Sequence, residues 1–203
     1  MATSNLISKS LGSVLTQSGN GSPNHTAPQG SIYVDQTTSL LYVNTDGSTT
    51  WLEYTKMSYG NMSVTSNATA ISTPVTNTWY SLSGATYTAG TTNGVTFSSS
   101  TKTLNVQTSK GGKYLVIGNG RINRQTANAV YELGISINNG SPSVGYYNMS
   151  CTQATETTSS ISVHGYFNLS AGDTVQLAAR NITTTNNILV SESSLTIIKL
   201  FNT

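Results

Sequence analysis

Charged residues make up only 8% of this 203-residue chain, against about 25% in an ordinary soluble domain. Its seven carboxylates, Asp35, Asp46, Glu53, Glu132, Glu156, Asp173 and Glu192, stand singly along the sequence. No pair of them marks an acid–base couple or a glycosidase-type site. The two histidines, His25 and His164, have no second histidine or cysteine at metal-ligand spacing. No serine lies in a nucleophile-elbow pattern, and Gly111-Gly112 and Gly118-Asn119-Gly120 lack the sequence of a phosphate loop. Catalysis, a cofactor and a metal are therefore not expected.

Other scarcities narrow the choice further. A single cysteine, Cys151, cannot close a disulfide within the chain, and it reads as a small apolar packing residue. The nine cations are scattered and leave a net charge of +2. They form no stripe that could follow a phosphate backbone, so nucleic acid is not an expected partner. The opening MATSNLISKSLGSVLTQ has no continuous apolar run, so neither a secretory signal nor membrane insertion is expected, and folding in a cytoplasm is.

What is abundant is hydroxyl. Threonine and serine number 33 and 30, and 20 asparagines and 18 glycines accompany them. Such residues suit exposed strand faces and tight turns rather than helices. Eight Asn-x-Ser/Thr triplets begin at Asn20, Asn24, Asn61, Asn67, Asn139, Asn148, Asn168 and Asn181, close to the number this composition produces by chance, and they read as compositional.

The one helical pattern is Ile7, Leu11, Val14 and Leu15, with Ser4 or Asn5 as a cap. It reads either as a docking segment that orders on a larger assembly or as a frayed terminus. Residues 19–29, GNGSPNHTAPQ, read as a linker. Ser31–Val34, Leu40–Asn44 and the run at Trp51-Leu52 then predict a three-stranded β meander, Tyr33 and Tyr42 on one face and Ile32, Val34, Leu41 and Val43 on the other. A meander this small cannot bury both faces alone, so it should pack on a copy of itself or on a partner. The residues G-S-I-Y-V-D, L-Y-V-N-T and G-S-T-T-W resemble a β module found near the attachment ends of tailed-phage fibre and appendage proteins. The resemblance implies virion attachment through Ile7, Leu11, Val14, Leu15, Tyr33, Tyr42 and Trp51.

Residues 55–77 are polar and without period, and read as a linker between an attachment segment, 1–54, and a head, 78–203. The head carries eight to ten strand signals separated by Gly-Gly, Asn-Gly and Ala-Gly-Asp turns, which predicts an all-β antiparallel sandwich or jelly roll. In its last strand Leu195, Ile197 and Lys199 share one side and Ile198 and Leu200 the other, so both sides require cover. Gly112, Tyr114, Leu169, Gly172, Asp173, Val175 and Leu177 resemble the tumour-necrosis-factor and complement globular-head superfamily. That resemblance implies a jelly roll in a homotrimer, with Tyr114, Leu195, Ile197, Ile198 and Leu200 at the subunit interface.

Three local readings remain. Asp173 is a turn cap or, with further oxygens, a calcium ligand. Glu132 is placed to pair with Arg121 or Arg124. Tyr146, Tyr147 and Tyr166 form a stacking surface for a host surface glycan or pack subunits. Together the sequence predicts a non-enzymatic virion surface protein, a trimeric capsid fibre or decoration protein of a tailed phage, bound by its N-terminus to a capsid or tail protein. The second reading is a receptor-binding tail-fibre tip, and the third a cellular trimeric binding module.

Overall fold

The computed structural model describes residues 9–11, 14–54, 57–73, 75–82, 84–123, 129–142, 147–151 and 158–201, with backbone alone for 9–11 and 147–151. The described residues are all-β, with no helix, and the chain divides into two compact units, Met1–Met57 and Ser58–Thr203.

The first unit is a five-stranded sheet of β1 (Lys9–Leu11), β2 (Val14–Gly19), β3 (Ile32–Asp35), β4 (Leu40–Asn44) and β5 (Trp51–Glu53), in that spatial order. The predicted helix is replaced by β1 and β2, which pair antiparallel. A helix of about ten residues has little stability of its own in water, and β2 instead runs parallel to β3, from Thr16 opposite Ile32 to Gly19 opposite Asp35. Of the residues in the helical pattern, Ile7 lies outside the described residues.

Residues 20–29 are a second correction, because they cover the sheet rather than link two elements. Ala27 is buried, Trp51 Nε1 donates to the His25 carbonyl at 2.9 Å, and His25 Nε2 donates to Gln17 Oε1 at 2.6 Å. The His25 ring lies 5.2 Å from Trp51 and 5.7 Å from Tyr33, and Tyr33 meets Tyr42 edge-on at 6.4 Å. Such tilted aromatic pairs contribute roughly 0.5–1.5 kcal/mol each beyond the area they bury. Asp35 pins the covering segment, its Oδ1 accepting from Gly21 N at 2.8 Å and Thr37 N at 2.9 Å and its Oδ2 from the Thr38 hydroxyl at 2.6 Å. These bonds, the Thr38 hydroxyl foremost, hold its pKa below the ordinary aspartate value.

The second unit is an antiparallel jelly roll with two facing sheets. One has the order β13 (Tyr147–Cys151), β12 (Val130–Ile137), β15 (Thr174–Asn181), β10 (Thr103–Val106), β9 (Val95–Ser98), with β7 (Tyr80–Ser81) also paired to β15. The other has the order β14 (Thr158–Leu169), β11 (Gly112–Asn123), β16 (Leu189–Phe201), β6 (Tyr59–Val64), β8 (Thr88–Asn93). The alternation in Tyr131, Leu133 and Ile135 turns these side chains inward against Tyr114, Val116, Ile122, Leu195 and Ile197 in one continuous core.

The stretch read as a spacer, 55–77, is also corrected. It contains β6, which pairs with both β16 and β8, buries Met62 and Val64 in the core, and is followed by an Ile71–Ile188 bridge. Only Met62 and Val64 in YGNMSV carry strong apolar signal, so the sequence hides a strand made largely of small polar residues.

The ion pairs differ from those expected. Glu132, buried on β12, pairs with Arg180 of β15, whose guanidinium lies 4.6 Å above the Trp79 ring. Arg121 pairs with Glu192 at 3.2 Å with both side chains about half exposed. Arg124 lies outside the described residues.

Leu133→Ala should lower the head's unfolding free energy by about 2–5 kcal/mol in urea melts. Gly118→Val should cost about 1–3 kcal/mol, because a Cβ there would lie 2.6 Å from Leu177 Cδ2. Glu132→Ala should cost about 3 kcal/mol, since it takes the carboxylate away from a largely buried guanidinium, whereas Arg121→Ala should cost under about 1 kcal/mol. In acid, the Asp35 contribution is complete above the unfolded aspartate pKa of about 3.9 and is lost as pH falls through the lower folded value. Tryptophan fluorescence should report acid unfolding of the first unit, and Asp35→Asn should weaken its pH dependence.

Candidate functional site

Two sheet faces carry apolar side chains that their own unit does not cover. On the β14–β11–β16–β6–β8 sheet, alternation sends Tyr114, Val116 and Gly118 inward and Leu115, Ile117 and Asn119 outward. The outward Leu115 stands opposite Tyr166 of β14 and Ile198 of β16, and Ile198 stands opposite Tyr59 of β6. Cross-strand partners share a face, so Tyr166, Leu115, Ile198 and Tyr59 form one row across four strands. Tyr59 is 38% exposed and Tyr166 56%, and Leu200 and Phe201 at the end of β16 are exposed as well.

The face grades from apolar to polar along the strands. The next row is His164, Ile117, Thr196 and Asn61, followed by Ser162, Asn119, Ser194 and Ser63. Here Ser162 donates to Asn119 Oδ1 at 2.8 Å, and Asn119 Nδ2 donates to Ser194 at 3.3 Å. The Arg121–Glu192 pair closes the polar end, beside an open depression lined by Ser63, Asn119, Arg121, Ser160 and Glu192.

This geometry corrects the predicted interface. Tyr114, Leu195 and Ile197 are fully buried between the sheets of one chain and have no surface to give another. Ile198 and Leu200 do face outward, with Tyr59, Leu115 and Ile117. The signal for Leu115 and Ile117 was present in the run KYLVIG, which is apolar on both faces. Tyr59 was missed because it lay in the presumed spacer.

The second open face belongs to the first unit. Tyr33 and Tyr42, expected at the attachment surface, are only 5% and 8% exposed and form the small core with His25 and the partly buried Trp51. Leu15 lies on their side of the sheet and its amide donates to Ser31 Oγ at 3.1 Å. The opposite face carries Val14, Ile32, Val34, Leu41, Val43 and Leu52, with Val34 and Leu52 exposed, and Leu11 stands opposite Val14.

The presumed glycan surface is not assembled. Tyr146 lies outside the described residues, Tyr147 belongs to the edge strand β13 opposite Gly134, and Tyr166 projects from the other sheet. Cys151 stands opposite Val130. Asp173 is a turn cap: its Oδ2 accepts from Ser170 N at 2.7 Å and its Oδ1 from Asn138 Nδ2 at 2.8 Å. Among the described residues no three His, Cys, Asp or Glu side chains converge as metal ligands.

No protein-family model matches the chain, and no curated protein matches it in sequence. Solved structures do match. Murine APRIL is similar over 71% of this chain and 100% of its own, at 13% identity and a TM-score of 0.50. The Eiger TNF of S. frugiperda is similar over 72% of this chain and 95% of its own, at 15% identity and a TM-score of 0.48. The likeness to APRIL shows that the chain contains a jelly roll of the tumour-necrosis-factor type.

Proposed function

We propose that the chain is a non-enzymatic structural protein of a tailed-phage particle, a capsid fibre or decoration protein. Three copies associate through the outward β14–β11–β16–β6 face, the first unit attaches them to a capsid or tail protein, and the heads project. The carrying observation is the row Tyr166, Leu115, Ile198 and Tyr59, an apolar band on the outside of a unit whose core is already complete without it. Contiguous exposed apolar surface of this kind marks an interaction site. A face that meets copies of itself around a rotation axis produces a closed oligomer, and the superfamily resemblance gives the number three.

The attachment role rests on the appendage-like motif of residues 30–51 and on the aliphatic face formed by Val14, Ile32, Val34, Leu41, Val43 and Leu52. Particle contact passes to this face from the buried Tyr33 and Tyr42. A host glycan has weaker support, because Tyr166 belongs to the self-association row.

Light scattering after gel filtration should give a trimer for the full chain at micromolar concentration. Ile198→Asp and Leu115→Asp should each weaken association by at least about tenfold while leaving the β-rich circular dichroism unchanged. A wild-type monomer would overturn the self-association reading. Full-length protein should bind particles that lack it, whereas Leu41→Asp/Val43→Asp protein should not. Binding to host cells in place of particles would transfer the assignment to the receptor-binding tip.

A further inference from the structure

The head has one histidine, and it stands on the outward face. His164, at the middle of β14, is exposed and lies between Ser162 and Tyr166 on that face. Its row continues through Ile117, Thr196 and Asn61, and the next row is the apolar one of Tyr166, Leu115, Ile198 and Tyr59. An imidazole ordinarily takes up its proton at about pH 6.5, within the range where other side chains keep their charge state. A group that can gain a charge therefore sits beside the surface through which the chains are proposed to associate.

No described group on the face would offset that charge. Neither the row of His164 nor the row on either side of it holds a carboxylate. The charges on this face among the described residues are Lys113 toward one end and the Arg121–Glu192 pair toward the other. Each stands two rows away, about 13 Å along the strands at roughly 3.3 Å per residue, beyond the Debye length of about 8 Å at physiological ionic strength. Lys113 has the same sign as an imidazolium, its ammonium lying 5.6 Å from the centre of the Phe201 ring, and Glu192 is held by Arg121 at 3.2 Å. Tyr166 and Tyr59 are phenols, a group that ordinarily titrates at about pH 10. β13 and β12 also run close to β14. β13 has no charged residue, Tyr147 and Cys151 being its titratable groups, and Glu132 of β12 is committed to Arg180.

We propose, resting on the self-association reading above, that protonation of His164 separates the chains, so that association through this face holds at neutral pH and is lost in mild acid. Copies that meet through the apolar row also cover the row beside it. An imidazolium taken out of water there without a counter-charge is costly, whereas the neutral ring has no charge to desolvate. The separated chain then binds more protons than the assembled one, and separation is favoured as pH falls through the histidine range. At pH 5.5, one unit below the ordinary value, the proton that each chain must shed weakens association about tenfold, and three chains together by as much as about a thousandfold.

The test is light scattering after gel filtration of the full chain over a dilution series at pH 7.5 and pH 5.5, at one ionic strength. Wild type should be trimeric at pH 7.5, dissociate at pH 5.5 at concentrations at least about tenfold higher, keep its β-rich circular dichroism, and reassemble on return to pH 7.5. Both values lie above the range in which carboxylates ordinarily titrate, so dissociation is separated from acid unfolding. His164→Gln and His164→Phe, at a position exposed in the single chain, should remain trimeric at both pH values. Equal dissociation of wild type at pH 5.5 and pH 7.5 would overturn the proposal and leave self-association standing. A wild-type monomer at pH 7.5 would overturn self-association and this proposal with it. A pH step that survives both substitutions, or one accompanied by loss of the circular dichroism, would overturn the role of His164 alone.

Discussion

The pairing of β11 with β14 on one side and β16 on the other is the interaction on which the head depends. Twelve residues of β11 pair with β14 from Gly112 to Asn123, and nearly the same length pairs with β16. Because side chains alternate along a strand, this ladder places Tyr114, Val116 and Ile122 in the core and Leu115 and Ile117 outside it in a single step. The glycines at 118 and 120 keep the layers close where Leu177 and Leu133 cross from the other sheet. Core and proposed association surface are thus two sides of one strand, and a slip of one residue would exchange them.

The first unit solves the same problem in the opposite sense. Tyr33, Tyr42 and Trp51 turn inward under residues 20–29, and Ile32, Val34, Leu41, Val43 and Leu52 lie on the other face. Polar groups make this possible: buried Gln17, Asp35 and Asn44 each bond to the covering segment or to a turn. Asn44 Oδ1 accepts from Gly47 N at 2.7 Å while its Nδ2 donates to the Ser48 carbonyl at 2.7 Å. A small sheet cannot bury both faces, and this one has spent its covering segment on the face that needs hydrogen bonds, leaving the face that requires only apolar contact.

Much of this was legible in the residues because a period of two survives wherever one face is apolar and the other is not. Tyr131 to Ile137, Ile161 to Phe167 and the two-sided β16 could be placed from their side chains alone. Strands built from small polar residues could not. In β8, TAGTTN, the side chains give no alternation, and what fixes the strand is its ladder to β6. The helix expected near residue 11 failed for a related reason: spacing records which residues share a face, while the partner strand β3, some 16 residues on, decides the backbone. For the site, the sequence showed that both sides of β16 needed cover but not which side faced the other sheet, so Tyr114, Leu195 and Ile197 were assigned to the wrong surface. The Glu132–Arg180 pair depends on strand order, β12 beside β15, which no local pattern encodes.

The low charge then acquires a physical meaning. A surface of hydroxyls and amides remains hydrated without strong fields, and a net charge of +2 spread over 203 residues puts little repulsion between copies. The association proposed through the apolar row would depend weakly on salt, because few charges would be brought together or screened. Its strength would lie in the apolar area removed from water at the row of Leu115 and Ile198, and therefore in the rate of dissociation rather than of encounter. Of the two ion pairs among the described residues of the head, Glu132 with Arg180 is largely buried and Arg121 with Glu192 is half exposed, so the interior carries one ion pair held in one place by strand order.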